Sequence, residues 1–169
     1  MELTFFLDKA IIIDTDIASA FAKIGHLNLL KDLFSKHLVF ITPRIFEELS
    51  VPLEYGYKFP LEIFSSFDVL NPAGEENEAY REMIVANRVL GKGELEAISI
   101  CKSRGYVFSS MDSAALRFAV SLNVETLELH SILRAMWESG IKSKDEVKLI
   151  IRELEDKDNT QIRDSHLIF

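Results

Sequence analysis

Hydrophobic positions in this chain fall into two alternating kinds of segment. Short, largely apolar segments occur at 10–13, 37–41, 67–70, 106–109 and 124–127, the first unbroken and the others carrying a polar residue or two such as Asp68 and Glu125. Runs of this length, bounded by polar or turn residues, read as strands, and an all-apolar run reads as a strand buried on both faces. Between them the apolar residues recur at helical spacing. The pattern predicts helices over 17–24 and 27–35, one starting at Pro43, and others over 75–90, 94–104, 112–121, 130–138 and 143–154.

Punctuation supports this division. Thr15 and Asp16 are candidate caps for the first helix, and Gly25 ends it. Thr42 caps the third, with Pro43 in the first helical position and Ile45, Phe46 and Leu49 turned inward. The stretch 51–64, rich in aromatics and prolines, predicts a turn and a short helix. Gly91-Lys92-Gly93 interrupts one helix before the next begins, and Gly105 closes that one. After Leu154 the sequence turns polar and predicts a frayed tail over 155–169, with the apolar end Leu167-Ile168-Phe169 free to dock on the domain or on a partner.

Strands alternating with helices predict an α/β fold: three layers, α/β/α, around a central, mostly parallel sheet of four or five strands. The domain spans 1–154. A 48% hydrophobic content over 169 residues is enough for one substantial core. The start, MELTFFLDKAIIID, lacks a basic region ahead of its apolar stretch, and no run approaches the ~20 residues that span a bilayer. With a single cysteine, Cys101, that cannot pair internally, these features predict a cytoplasmic protein without membrane attachment.

Charge narrows the chemistry. Twenty-seven acids against 19 bases leave a net charge of −8, unlike proteins that hold nucleic acid through a broad basic face. A local acidic cluster that binds cations is compatible with it. In open parallel sheets, ligands bind beyond the carboxyl ends of the strands. Asp14 directly follows the first strand, Glu47 and Glu48 lie one turn into the helix after the second, Glu94 and Glu96 open the helix leading to the fourth, and Asp112 follows the fourth, behind Ser109 and Ser110. A lone aspartate there is as readily a helix cap as a functional group; several acids at one edge are harder to dismiss. Crowded carboxylates raise one another's pKa unless a cation lies between them, and hard oxygen donors select Mg2+ or Mn2+. One or two such ions, ~3.5–4 Å apart when paired, activate water and stabilise charge on a phosphate. The scattered histidines 26, 37, 130 and 166 form no zinc pattern, and neither a Gly-x-Ser-x-Gly elbow nor a phosphate-binding glycine loop occurs.

The segments IIIDT (11–15), ITPRIFEEL (41–49) and GKGELEAISICKSRGYVFSSMD (91–112), in this order and spacing, resemble the PIN-domain family, in particular a prokaryotic subgroup related to toxin–antitoxin ribonucleases. The resemblance covers about residues 10–140, and Gly-x-Gly-Glu-x-Glu-Ala-Ile is its most specific piece. It implies a PIN-like fold and Mg2+- or Mn2+-dependent endoribonuclease activity, with Asp14, Glu48, Glu94 and Asp112 as catalytic acids and Asp14, Glu94 and Asp112 as metal ligands. Thr15, Asp16 and Ser110 support them from behind, Ser110 matching a small hydroxyl residue of the family. The resemblance further implies an RNA substrate, an antitoxin protein partner and a homodimer.

One position departs from the subgroup, which usually carries two adjacent aspartates after the fourth strand. Here the first is Met111, and Asp16 is the candidate to compensate. Two alternatives compete. IIIDTD also resembles the first motif of haloacid-dehalogenase-like phosphatases, with Asp14 as nucleophile and Asp16 as acid/base, although no paired acids follow a later strand. The other alternative is a PIN-like binding module whose catalytic site has degraded.

Overall fold

A computed structural model describes residues 9–169; the reading of the first eight residues as part of a leaderless start lies outside them. Five strands form the sheet: β1 (Ile11–Ile13), β2 (Val39–Ile41), β3 (Asp68–Val69), β4 (Val107–Ser110) and β5 (Thr126–Glu128). Their order is β3-β2-β1-β4-β5, and every neighbouring pair is parallel. The central strands are the apolar ones. Ile11, Ile12 and Ile13 are fully buried, as are Val107 and Phe108, so both faces of β1 and β4 must be covered.

Nine helices among the described residues provide the cover, giving three layers. They are α1 (Thr15–Lys23), α2 (Leu27–Leu33), α3 (Pro43–Glu54), α4 (Phe59–Ser66), α5 (Gly74–Ala86), α6 (Lys92–Arg104), α7 (Ser113–Ser121), α8 (Leu129–Glu138) and α9 (Lys144–Asp158). From β1 the chain steps outward to β2 and β3, then returns to the other side of β1 for β4 and β5. This reversal places a topological switch point between the carboxyl ends of β1 and β4.

Several element boundaries differ from the sequence expectation, each for a local reason. The cap of α1 is Asp14, not Thr15 or Asp16: its backbone is extended and its carboxylate accepts the Thr15 N–H. Helix α3 runs on through Pro52 and ends at Glu54, two residues beyond the proline. Phe46 is 38% exposed and stacks on Phe64, with ring centroids 4.2 Å apart, rather than entering the core with Ile45 and Leu49. Helix α5 stops at Ala86, because the Asn87 side chain accepts the N–H groups of Val89 and Leu90 and turns the chain. Helix α6 begins at Lys92, so Gly93 lies inside its first turn.

The frayed tail is a further correction. Helix α9 continues through Asp158, Asn159 ends it in the left-handed conformation, and Ile162 and Ile168 are buried. The Trp137 indole N–H donates to the Ile168 carbonyl at 2.7 Å. The apolar end therefore docks on its own domain, against α8.

Candidate active site

Parallel pairing sets the base of the site. Ile13 is in register with Ser109, so Asp14 and Ser110 leave the sheet side by side at the switch point. Asp14 is 3% exposed. One of its carboxylate oxygens caps α1 by accepting the Thr15 N–H at 2.8 Å, and the other accepts the Ser110 hydroxyl at 3.0 Å. Ser110 Oγ in turn accepts the Asp112 N–H at 3.0 Å, tying the acid after β4 to the acid after β1. Asp112 caps α7 through Ala115 N at 2.8 Å and is otherwise exposed.

Asp16 joins them. Its Oδ1 accepts the Ile17 N–H at 2.7 Å, and its Oδ2 accepts the Met111 N–H at 3.1 Å and lies 3.5 Å from Ser110 Oγ. The residue that departs from the family pattern thus holds Asp16 through its backbone N–H, which any residue but proline at position 111 would supply.

The remaining two acids arrive from α3 and α6. Glu94 reaches back over the start of α6 and accepts the Gly91 N–H at 2.8 Å. Glu48 is held at both oxygens, by the Thr15 hydroxyl at 2.6 Å and the Gly93 N–H at 3.0 Å. A Cβ on Gly93 would lie 2.8 Å from both Glu48 oxygens, so the second glycine of Gly-x-Gly-Glu is where α6 makes room for the α3 carboxylate. Glu47 turns away to pair with Arg44, and Glu96 is buried against the Arg44 N–H at 2.9 Å. Neither reaches the cleft.

Asp14, Asp16, Glu48, Glu94 and Asp112 line one open cleft of about 640 Å³, together with Thr15, Ser19, Lys23 and Asp158. Burial drives the Asp14 carboxyl well above its ordinary range, and the charges of Asp16 and Glu94 push it the same way. Burial likewise lifts Asp16 to about 6; the Ile17 and Met111 N–H groups oppose this, and the Asp112 charge adds to it. Glu94 is raised by burial and by Asp112, Asp16 and Glu48, against the Gly91 N–H.

Among the described residues, no three Asp, Glu, His or Cys side chains form a closed metal-ligand group. Asp14, Glu94 and Asp112 therefore share the cleft without sharing a ready-made coordination sphere. Mg2+ does not require one, since it is commonly bound through one or two carboxylates, with water and substrate phosphate completing its shell. An all-oxygen donor set carrying unneutralised, mutually repelling charge fits such an ion.

Lys23, Ser19 and Asp158 were not anticipated in the cleft. Ser19 and Lys23 lie three and seven residues beyond Asp16, on the same face of α1, a spacing readable in the sequence. Asp158 was hidden by the expected end of its helix at Leu154.

A family model described as PIN domain matches residues 10–167. The chain belongs to the PIN-domain family. Two solved structures share its fold. VapBC2 from Rickettsia felis, bound to a DNA fragment from its promoter, aligns with a TM-score of 0.57 at 14% identity, over 70% of this chain and 98% of that one. PAE2754 from Pyrobaculum aerophilum aligns with a TM-score of 0.52 at 16% identity, over 86% and 96%. No curated protein matches the sequence. Membership in the PIN family displaces the haloacid-dehalogenase reading of Asp14 and Asp16. No helix among the described residues is long and apolar enough to cross a membrane.

Proposed function

We propose that this PIN-domain protein is a metal-dependent endoribonuclease whose catalytic acids are Asp14, Glu48, Glu94 and Asp112. The observation that carries the reading is the accumulation of unneutralised carboxylates at the switch point, with burial and mutual repulsion raising Asp14, Asp16 and Glu94 together. Such a cluster is unfavourable in an isolated domain and becomes favourable once a cation is held there.

Asp14, Glu94 and Asp112 would hold Mg2+ or Mn2+. When bound, such an ion supplies Lewis acidity towards a phosphate and the water that attacks it. The protein supplies position. Ser110 orients Asp14 and the Asp112 backbone together, and Thr15 and Gly93 fix both Glu48 oxygens. Asp16, held by Met111 N, adds negative charge next to Asp112. Lys23 is the one cation among the cleft's lining residues and can meet a phosphate.

The toxin–antitoxin assignment belongs to the same proposal: a cytoplasmic homodimer that cleaves RNA and is silenced by an antitoxin. Its support is the family resemblance of the 91–112 segment and the shared fold with VapBC2.

The test is cleavage of a mixed pool of single-stranded RNAs by purified protein with Mn2+, beside EDTA and Asp14→Asn controls. We expect cleavage with Mn2+, none with EDTA, and a loss of about a hundredfold or more in the variant, in line with removal of a charge-stabilising group. RNAs left intact at saturating Mn2+ would overturn the nuclease reading and favour the degraded binding module.

A further inference from the structure

A second cleft opens beside the acidic one. Its volume is about 570 Å³, and it shares Lys23 and Asp158 with the first, so the two clefts adjoin across that ion pair. Its character is the reverse. Lys23, Lys58 and Lys157 line it with Tyr57 and Phe59, and Asp158 is the only carboxylate among its lining residues. In a chain with a net charge of −8, three lysines around one cleft beside an acidic site are a local inversion of charge.

The aromatics are presented by a built turn. Helix α3 ends at Glu54, Gly56 takes φ +85, and the Tyr57 N–H donates back to the Pro52 carbonyl at 3.1 Å. The turn holds Tyr57 63% exposed, with its ring centroid 6.5 Å from that of Phe59. Lys23 Nζ lies 5.4 Å from the Phe59 centroid and 2.7 Å from Asp158. Lys157 has Glu153 one turn back at 3.9 Å, a loose pair that leaves it 56% exposed. Lys58 is exposed and has no ion pair among the described residues.

We propose that this lysine–aromatic cleft is a subsite for single-stranded RNA, in which Tyr57 stacks a base flanking the scissile phosphate and Lys58 and Lys157 hold the neighbouring phosphates. The chemistry is that of sequence-tolerant single-strand binders: an aromatic face for the base and point charges along the backbone. Duplex RNA has its bases already stacked and offers none to Tyr57. A strand lying in this cleft reaches the acids by crossing the Lys23–Asp158 pair that the two clefts share. Lys23, paired with Asp158 in the free protein, is placed to exchange that partner for phosphate at the junction. The inference rests on the nuclease reading for its direction, and binding tests it independently of cleavage.

The probe is a short fluorescein-labelled, unstructured RNA, with fluorescence anisotropy recorded in EDTA so that no cleavage occurs. In an otherwise wild-type chain, Tyr57→Ala should weaken binding on the order of tenfold, and Tyr57→Phe should restore it, since stacking needs the ring and not the hydroxyl. Lys58→Ala with Lys157→Ala should lower affinity and flatten the slope of log K against log salt by about 0.7 for each phosphate that is no longer neutralised. A matching duplex should be insensitive to Tyr57→Ala. All three positions are exposed, so unchanged thermal melting is expected and identifies binding loss as local. Single-strand binding that ignores all these substitutions overturns the inference, even if the same variants lose a protein partner. Failure to bind single-stranded RNA at all also overturns it. If RNA is cleaved with Mn2+ but binding is insensitive to these residues, the subsite falls and the nuclease stands. If no RNA is cleaved but binding follows Tyr57 and the lysines, the reverse holds.

Discussion

At the residue scale the most informative position is Gly93, whose missing side chain is filled by the Glu48 carboxylate. An alanine there has ordinary helical backbone available and would gain up to about 1 kcal/mol in helix propensity. Its Cβ would displace Glu48, the end of a flexible side chain, from the Gly93 N–H and the Thr15 hydroxyl. Those charge-assisted bonds are worth roughly 1.5–3 kcal/mol each in general, and less where water can replace them. We therefore expect Gly93→Ala to fold with a net stability change within about 2 kcal/mol by urea denaturation. RNA cleavage should fall about ten- to hundredfold, as when the group orienting a catalytic residue is lost. A variant that cleaves like the wild type would show that the placement of Glu48 does not matter. The sequence made the glycine visible as a helix breaker. The carboxylate it accommodates lies 45 positions away in the chain, and no local pattern points to it.

At the element scale, caps and strand ends were legible because they depend on neighbours in sequence. Thr42 with Pro43 opens α3, and Gly105 in the left-handed region closes α6, both as the residue types predict. Charge density misled at the other end of the chain. Residues 155–158 read as solvated, yet they continue α9, and the short 3-10 turn Ser165–Ile168 packs on α8. Ile168 is fully buried and Trp137 bonds its carbonyl. Ile168→Ala should accordingly cost about 2–4 kcal/mol, the range for truncating a buried isoleucine, read from the shift in urea midpoint. A loss below ~0.5 kcal/mol would mean that this turn is detached in solution. The Lys23–Asp158 bridge between α1 and α9 contributes little by itself, because Lys23 is 39% exposed. Its importance lies in where it puts a cation.

At the scale of the whole molecule, the acidic cluster couples metal, pH and stability. The folded state lifts Asp16 from its ordinary 3.8 to about 6, so folded protein holds that proton more tightly than unfolded chain. The resulting stability is fully present below pH 3.8 and is lost as pH rises past 6; the displacement corresponds to on the order of 3 kcal/mol. Asp14 and Glu94, also raised, act in the same direction. In EDTA, the stability of the wild type relative to Asp16→Asn should therefore fall across pH 4 to 6.5, and the packing offset of the asparagine should be constant with pH. Saturating Mn2+ should raise the melting temperature increasingly as pH rises, because the ion competes with protons for the raised carboxyls of Asp14 and Glu94. A wild-type-minus-variant difference that stays flat with pH would show that Asp16 does not titrate in this window.

The sequence by itself determined the alternation of strand and helix, the parallel α/β class, and the placement of Asp14 and Asp112 immediately beyond buried strands. These follow from periodicity and capping, which act over a few residues. Only the tertiary structure decided how those acids meet. Strand register set Ser110 beside Asp14, the approach of α6 to α3 seated Glu48 against Gly93, and the return of α9 brought Asp158 to Lys23. Each of these joins residues far apart in the chain through the packing of whole elements. That packing depends on the shape of the entire core, which no local stretch of sequence contains.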